Sequence, residues 1–167
     1  NELCEKLGIQ PNMHNGRRIT DDATLDVAVM VYAGLANKKV VAKLQHFGTN
    51  AIGLSGADAN VINATKRPVQ DIDYCWAGDI KSVDINSLKN LLSIGLSPVF
   101  CAITHDQKGQ LLNTNADTIA AALASALAAE YQVHLHYCFG HRGVLKDIND
   151  ENSVIHTCLL YTSPSPR

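Results

Sequence analysis

The sequence has no C-x-x-C pair, no apolar run long enough to span a bilayer, no surplus of basic residues and no internal repeat. Each absence removes a class of protein. The five cysteines, Cys4, Cys75, Cys101, Cys138 and Cys158, are odd in number and far apart. That spacing argues against a disulfide framework and fits the reduced thiols of a cytosolic protein. Lys and Arg total 14 against 16 Asp and Glu, so there is no basic footprint for nucleic acid. The longest apolar run, within 116–130, is alanine-dominated and too short for a membrane span. No positively charged start leads into an apolar stretch, so no signal peptide is visible. Seven histidines raise the question of a metal. His134 and His136 would share one face of a strand, but no acid or cysteine stands at useful spacing, so no metal is assigned.

What is present is a chain of 167 residues, 46% hydrophobic, with a net charge of −2. It is long enough for one domain or two small ones around a real core. Residues 2–8 read as the end of a helix closed by Gly8. Thr20 or Asp21 can cap a long helix over 22–47. Between Leu25 and Ala36 that helix is apolar nearly all round, which predicts cover on several sides. The cover is read as its own core plus a partner subunit, with a wholly internal helix as the alternative. Val29 and Tyr32, three apart, are candidates for the partner contact.

Ala51 to Gly56 reads as a short strand entering a glycine turn, and β-prone runs near 60–69 and 76–83 read as hairpin strands. Ser87–Ile94 is an amphipathic helix ended by Gly95, and Pro98–Ile103 a buried strand with proline at its start. Ala116–Tyr131 is a second long helix, Val133–Phe139 a strand, and Gly143–Leu145 follows a loop. Strands alternating with helices predict an α/β fold, an αβα sandwich around a largely parallel sheet with a hairpin insertion. From Thr157 the sequence loses periodicity and ends in Ser-Pro repeats, so 157–167 reads as a disordered, non-native tail.

The run Asn113-Thr114-Asn115-Ala116-Asp117 carries the chemistry. Asn113, Asn115 and Asp117 alternate along an extended backbone that leads into a helix start. Unpaired N–H groups and the positive dipole end suit a carboxylate or phosphate there. Simple capping by Asn115 or Asp117 explains one of these residues and not three.

Taken in order, Asn15-Gly16-Arg17-Arg18-Ile19-Thr20-Asp21, Gly34-Leu35-Ala36-Asn37-Lys38, Gly53-Leu54-Ser55-Gly56-Ala57-Asp58, Gly95-Leu96-Ser97-Pro98 and Asn113 to Asp117 resemble the acetylglutamate kinases, the arginine-biosynthesis branch of the amino acid kinase family. The Arg-Pro-Val and Val-Leu-Lys-Asp details resemble the Bacteroidetes type, some of whose members are associated with a succinylated pathway. The resemblance covers 3–156. It implies phosphorylation of the side-chain carboxylate of an N-acylglutamate by ATP with Mg2+, in a cytoplasmic homodimer formed through helix 22–47. Arg18 would bind the substrate's α-carboxylate, and Asn113 its main-chain groups. Asp117 would be catalytic, orienting two lysines. Gly53 and Gly56 would bound the start of the hairpin that closes over the acyl group. Arg17 is read as a solvated charge.

The family's Lys-x-Gly-Gly strand and Gly-Gly-Gly loop have no counterpart in these residues, and Gly140 stands where an acidic residue is common. The expected organisation is therefore a partial amino-acid-binding lobe over 1–132 and the start of a nucleotide-binding lobe over 133–156, incomplete at both ends and inactive alone. A kinase for N-succinylglutamate or another amino acid, or a non-catalytic ligand-binding module on the same fold, are the alternatives.

Overall fold

An Asn-Gly pair between short extended runs is a strong hairpin signal, because both turn residues need positive φ. In the computed structural model, which describes residues 2–10, 12–138, 140 and 142–157, Asn15 and Gly16 have φ of 47° and 74°. They follow helix α1 (Glu2–Lys6) and join β1 (Asn12–His14) to β2 (Arg17–Ile19). Arg18 therefore stands on a strand, opposite Met13.

Asp21, not Thr20, caps the following helix: its carboxylate accepts the Thr24 N–H at 2.8 Å. The predicted long helix is present but not uniform. It runs as α2 (Asp22–Val29), a π-helical segment (Met30–Ala36) and α3 (Asn37–His46). π segments are rare and widen the backbone to i→i+5 bonding. The i, i+3 reasoning that paired Val29 with Tyr32 therefore does not hold across this stretch.

β3 (Ala51–Leu54) leads through a glycine turn to β4 (Ile62–Lys66), and then come β5 (Gly78–Val83) and α4 (Ile85–Ser93). Asp84 caps α4 by accepting the Asn86 N–H at 3.0 Å. The predicted strand 98–103 is split. β6 (Ser97–Phe100) lies parallel to β3, whereas β7 (Ile103–His105) lies parallel to β4 and antiparallel to β8 (Leu111–Asn113). The chain changes sheets at Cys101 and Ala102. The larger sheet has the order β5-β4-β7-β8. Helix α5 (Ala116–Leu127) closes the series.

Alternation along the strands defines the layers. A Cβ on Gly53 would strike Asn37 of α3, so Gly53 and its partner Val99 face that helix. The next pair, Leu54 and Phe100, face the other way. Phe100 packs on the buried cluster Val61, Ile62, Leu88 and Ile119, to which α4 and α5 contribute. Helices thus cover both faces of the parallel β3–β6 pair, as the α/β expectation requires. Each fully buried aliphatic side chain in that cluster contributes about 1.5–3 kcal/mol.

The contacts divide the chain into a unit of residues 1–135 and one of 136–167. In the second, Lys146 N–H donates to the Ser153 carbonyl at 2.9 Å and Ile155 N–H to the Val144 carbonyl at 2.8 Å, around a single Leu145–Val154 bridge. The strand expected over Val133–Phe139 does not form: 132–138 carry no regular structure, and His134 to Cys138 are all exposed. Its alternating His134 and His136 leave too little apolar surface to hold a buried strand. Phe139 and the tail 158–167 lie outside the described residues.

Candidate functional site

The site begins with a buried threonine. Thr20, at the end of β2, is 0% exposed. Its backbone pairs with the loop that joins β4 to β5: Thr20 N–H donates to the Tyr74 carbonyl at 3.2 Å, and Trp76 N–H donates to the Thr20 carbonyl at 2.8 Å. On the other side of that segment, Asn113 N–H donates to the Trp76 carbonyl at 2.9 Å. Asn113 Nδ2 then reaches Thr20 Oγ1 at 3.1 Å. Residues 93 positions apart are thus held to one another by both backbone and side chain. Trp76 Nε1 donates to Asp22 at 2.7 Å and ties the same loop to the start of α2.

This lattice brings several of the expected residues to one end of the sheet. Arg18 is half-buried on the same face of β2 as Thr20, about 7 Å away along the strand. Gly56 N–H donates to the Ile103 carbonyl at 2.7 Å, and Ile103 is the register partner of Asn113. Two strand spacings, about 10 Å, therefore separate Gly56 from Asn113. Asn115 is the cap of α5, accepting the Thr118 N–H at 3.0 Å. Asp117 follows in the first turn and is exposed. The cap needs only Asn115. Asn113 bonds to Thr20 instead, so the three polar residues do three different things.

The two glycines do not stand next to open space. At Gly53 a Cβ would lie 1.8 Å from Asn37 Oδ1 and 2.8 Å from Lys38 Nζ, and at Gly56 it would meet Ile62 and Thr104 near 3 Å. The close approach both allow is to this chain's own side chains. The turn between them is held by Asp58, which accepts from Ser55 N at 2.6 Å and Ser55 Oγ at 2.7 Å.

Three features had no reading in the motifs. One is Trp76 in the loop that joins β4 to β5. The second is Arg67, whose guanidinium forks onto Asp79 with bonds of 2.6–3.2 Å and lies 5.6 Å from the Tyr74 ring. The third is a polar cavity of about 450 Å³ between the β1–β2 turn and the hairpin, lined by His14, Arg17, Arg67, Asp71 and Tyr74 among others. Arg17, read as a solvated charge, is exposed and borders it. Arg67-Pro68-Val69 was the only sequence signal for the last two.

The thiols near the site are kept protonated. Burial, then the neighbouring Asp73 carboxylate, pushes the Cys75 thiol up, and burial does the same at Cys101. Neither is primed as a nucleophile. Asp21 is held below the ordinary carboxylate range by its hydrogen bonds from Thr24. Among the described residues, no group of three or more His, Cys, Asp or Glu is placed to hold a metal ion. Magnesium needs several oxygen ligands in octahedral order, so these residues do not fit it by themselves and no step is derived through it. Also among the described residues, no helix is long and apolar enough to cross a membrane.

Comparison with known proteins matches these elements. A curated acetylglutamate kinase from Phocaeicola vulgatus is 56% identical over 153 residues, which is 92% of this chain and 60% of that protein. The chain spans about 60% of the length of this and two further curated acetylglutamate kinases, from Bacteroides thetaiotaomicron and Parabacteroides distasonis. Among solved structures, smu.665 from Streptococcus mutans UA159 aligns with a TM-score of 0.70 at 25% identity, over 77% of this chain and 51% of that one. An N-acetylglutamate synthase from Neisseria gonorrhoeae, complexed with coenzyme A and N-acetyl-glutamate, aligns with a TM-score of 0.60 at 25% identity, over 77% of this chain and 28% of that one. The sequence model of the amino acid kinase family matches residues 1–150, and the chain belongs to that family.

Proposed function

We propose that the protein carrying this chain is a cytosolic kinase that transfers the γ-phosphoryl group of ATP to the side-chain carboxylate of N-acetylglutamate. The observation that carries the reading is the lattice Thr20–Trp76–Asn113, which joins the strand of Arg18 to the run that leads into α5. The relatives' names and the N-acetyl-glutamate bound by the gonococcal synthase support the choice of substrate.

The chemistry asks little of these residues beyond placement. A carboxylate is already ionised at neutral pH, so no general base is needed. The raised thiols of Cys75 and Cys101 are not primed as nucleophiles. What remains is alignment and neutralisation of charge on the transferring group. Arg18 grips the α-carboxylate through a two-pronged fork that lysine cannot form. Asn113, its carbonyl end left over by the bond from Nδ2 to Thr20, takes a main-chain N–H of the substrate. Asp117 orients the cations that meet the phosphoryl group. ATP supplies that group, and residues 133–156 begin its lobe.

The protein works as a homodimer joined along α2, the π segment and α3. No residue of the π segment is buried, and Met30 and Leu35 are 57% and 56% exposed. A Cβ on Gly34 would meet nothing within 4 Å, which leaves room for a close partner. A contiguous exposed apolar stretch of this kind is the signature of an interaction face.

The test is a coupled ATPase assay of the intact protein with magnesium and N-acetylglutamate. Turnover is expected, and Arg18→Lys should raise KM by about 10- to 100-fold, the loss of a charge-assisted bond of roughly 1.5–3 kcal/mol. No turnover above a blank without enzyme would reject the reading. An unchanged KM in the variant would make Arg18 a surface charge.

A further inference from the structure

Helix α3 opens with two polar residues whose side chains leave the helix for the sheet. Asn37 is 4% exposed. Its Nδ2 donates to the Val99 carbonyl of β6 at 2.8 Å. Its Oδ1 accepts from Lys38 Nζ at 3.2 Å, and Lys38 Nζ also donates to the Gly53 carbonyl of β3 at 3.1 Å. Gly53 and Val99 are register partners in the parallel pair. One helix therefore grips two adjacent parallel strands near their carboxyl ends, by consecutive side chains.

An apolar pair would attach a helix to a sheet as well, and at lower desolvation cost. The amide and ammonium add direction: each bond goes to one carbonyl, and a shift of one residue would break it. The fit leaves no slack. The missing side chain of Gly53 is the space that Asn37 Oδ1 occupies, 1.8 Å from where a Cβ would stand. Carboxyl ends of parallel strands are where α/β folds place their ligands, and β3 runs from Gly53 into the glycine turn ending at Gly56 and on to the β4–β5 hairpin.

We propose that Asn37 and Lys38 are positioning residues. They fix the exit of β3, and through it the turn and hairpin that face the acyl end of the substrate. The proposal rests on the function argued above, since the site it serves is that one.

Lys38 is exposed, so Lys38→Met leaves the fold in place. In the intact protein the variant should raise KM for N-acetylglutamate about tenfold, as the freed β3 exit holds the binding geometry in about a tenth of the molecules. The kcat should stay near wild type and the melting temperature nearly unchanged. Lys38→Arg, which keeps the donor, should recover most of the loss. Gly53→Ala should lower the melting temperature sharply by striking Asn37. Adding Asn37→Ala should restore the melting temperature and leave KM high. A wild-type KM in folded Lys38→Met, or in the double variant, would overturn the clamp alone. Absence of turnover in the wild type would overturn the functional reading, and the clamp with it.

Discussion

Two regions of this chain invert the usual distribution of residues, in opposite senses. At the lattice around Thr20, hydroxyl and amide groups lie inside: Thr20, Thr24, Thr104 and Thr114 are all buried. In the π segment Met30–Ala36, seven residues without a single charge lie half-buried or exposed. Buried polar groups must find partners or cost stability. These do: Asn113 bonds Thr20, and Thr104 and Thr114 share a hydrogen bond of 2.7 Å. Exposed apolar groups are informative when contiguous. The two regions thus differ in what satisfies them: the polar groups around Thr20 find partners within this chain, whereas the π segment leaves apolar surface exposed.

The sharpest way to break that contrast is to charge the apolar side. Leu35→Glu in the intact protein should yield monomers, since an unpaired charge in an interface core costs about 3–5 kcal/mol. Light scattering reads the outcome. A folded dimer in that variant would place the interface elsewhere. Leu35 suits the test better than Tyr32, because it is the more exposed of the two.

On the polar side, Asp117→Asn should lower kcat about 100-fold with little change in KM, the scale of losing one electrostatic contact to the transition state. Asn115 already makes the cap bond to Thr118, so the melting temperature should move little. Near-wild-type kinetics would reduce Asp117 to a favourable charge at a helix start.

Much of this contrast was legible in sequence, and the losses have physical reasons. Hydrophobic periodicity located α4 and the long helix, and the polar run before Ala116 located the cap of α5. Periodicity assumes 3.6 residues per turn, so it could not reveal the π segment. The strand expected over 98–103 divided because one apolar run served two sheets, and composition does not say which neighbour a strand pairs with. The strand expected at 133–139 is absent over 133–138, where the alternation with His134 and His136 lacks the continuous apolar run of a strand buried on both faces. Asn113 was singled out by its motif, yet its bond to Thr20 joins residues far apart in sequence, which no local pattern encodes. The Asn15-Gly16 hairpin was the reverse case: the signal is local and strong, and the family motif drew attention to Arg18 instead.

Thr20→Val sharpens the comparison by keeping shape and removing the hydroxyl. The Asn113 amide then loses its acceptor, at a cost of roughly 1–3 kcal/mol. Denaturant unfolding should show that loss, and KM for N-acetylglutamate should rise as Asn113 turns. Unchanged stability would mean that Thr20 matters only for its backbone pairs with Tyr74 and Trp76.

The smallest effect tests the hinge between the two regions, since Asp21 follows Thr20 and caps the helix that leads to the π segment. Asp21→Ala should cost about 1 kcal/mol, the usual loss of an N-cap. The pH dependence follows from the direction of its shift. Hydrogen bonds from Thr24 lower the Asp21 pKa in the folded state, so the folded protein favours the ionised form. That contribution is complete above the unfolded value of about 3.9 and is lost as pH falls below it through the folded value. The wild type and Asp21→Ala should therefore differ most near neutral pH and converge in acid. A stability gap that persisted unchanged to the lowest pH at which the protein stays folded would show that Asp21 acts through packing, and not through its charge on the Thr24 N–H.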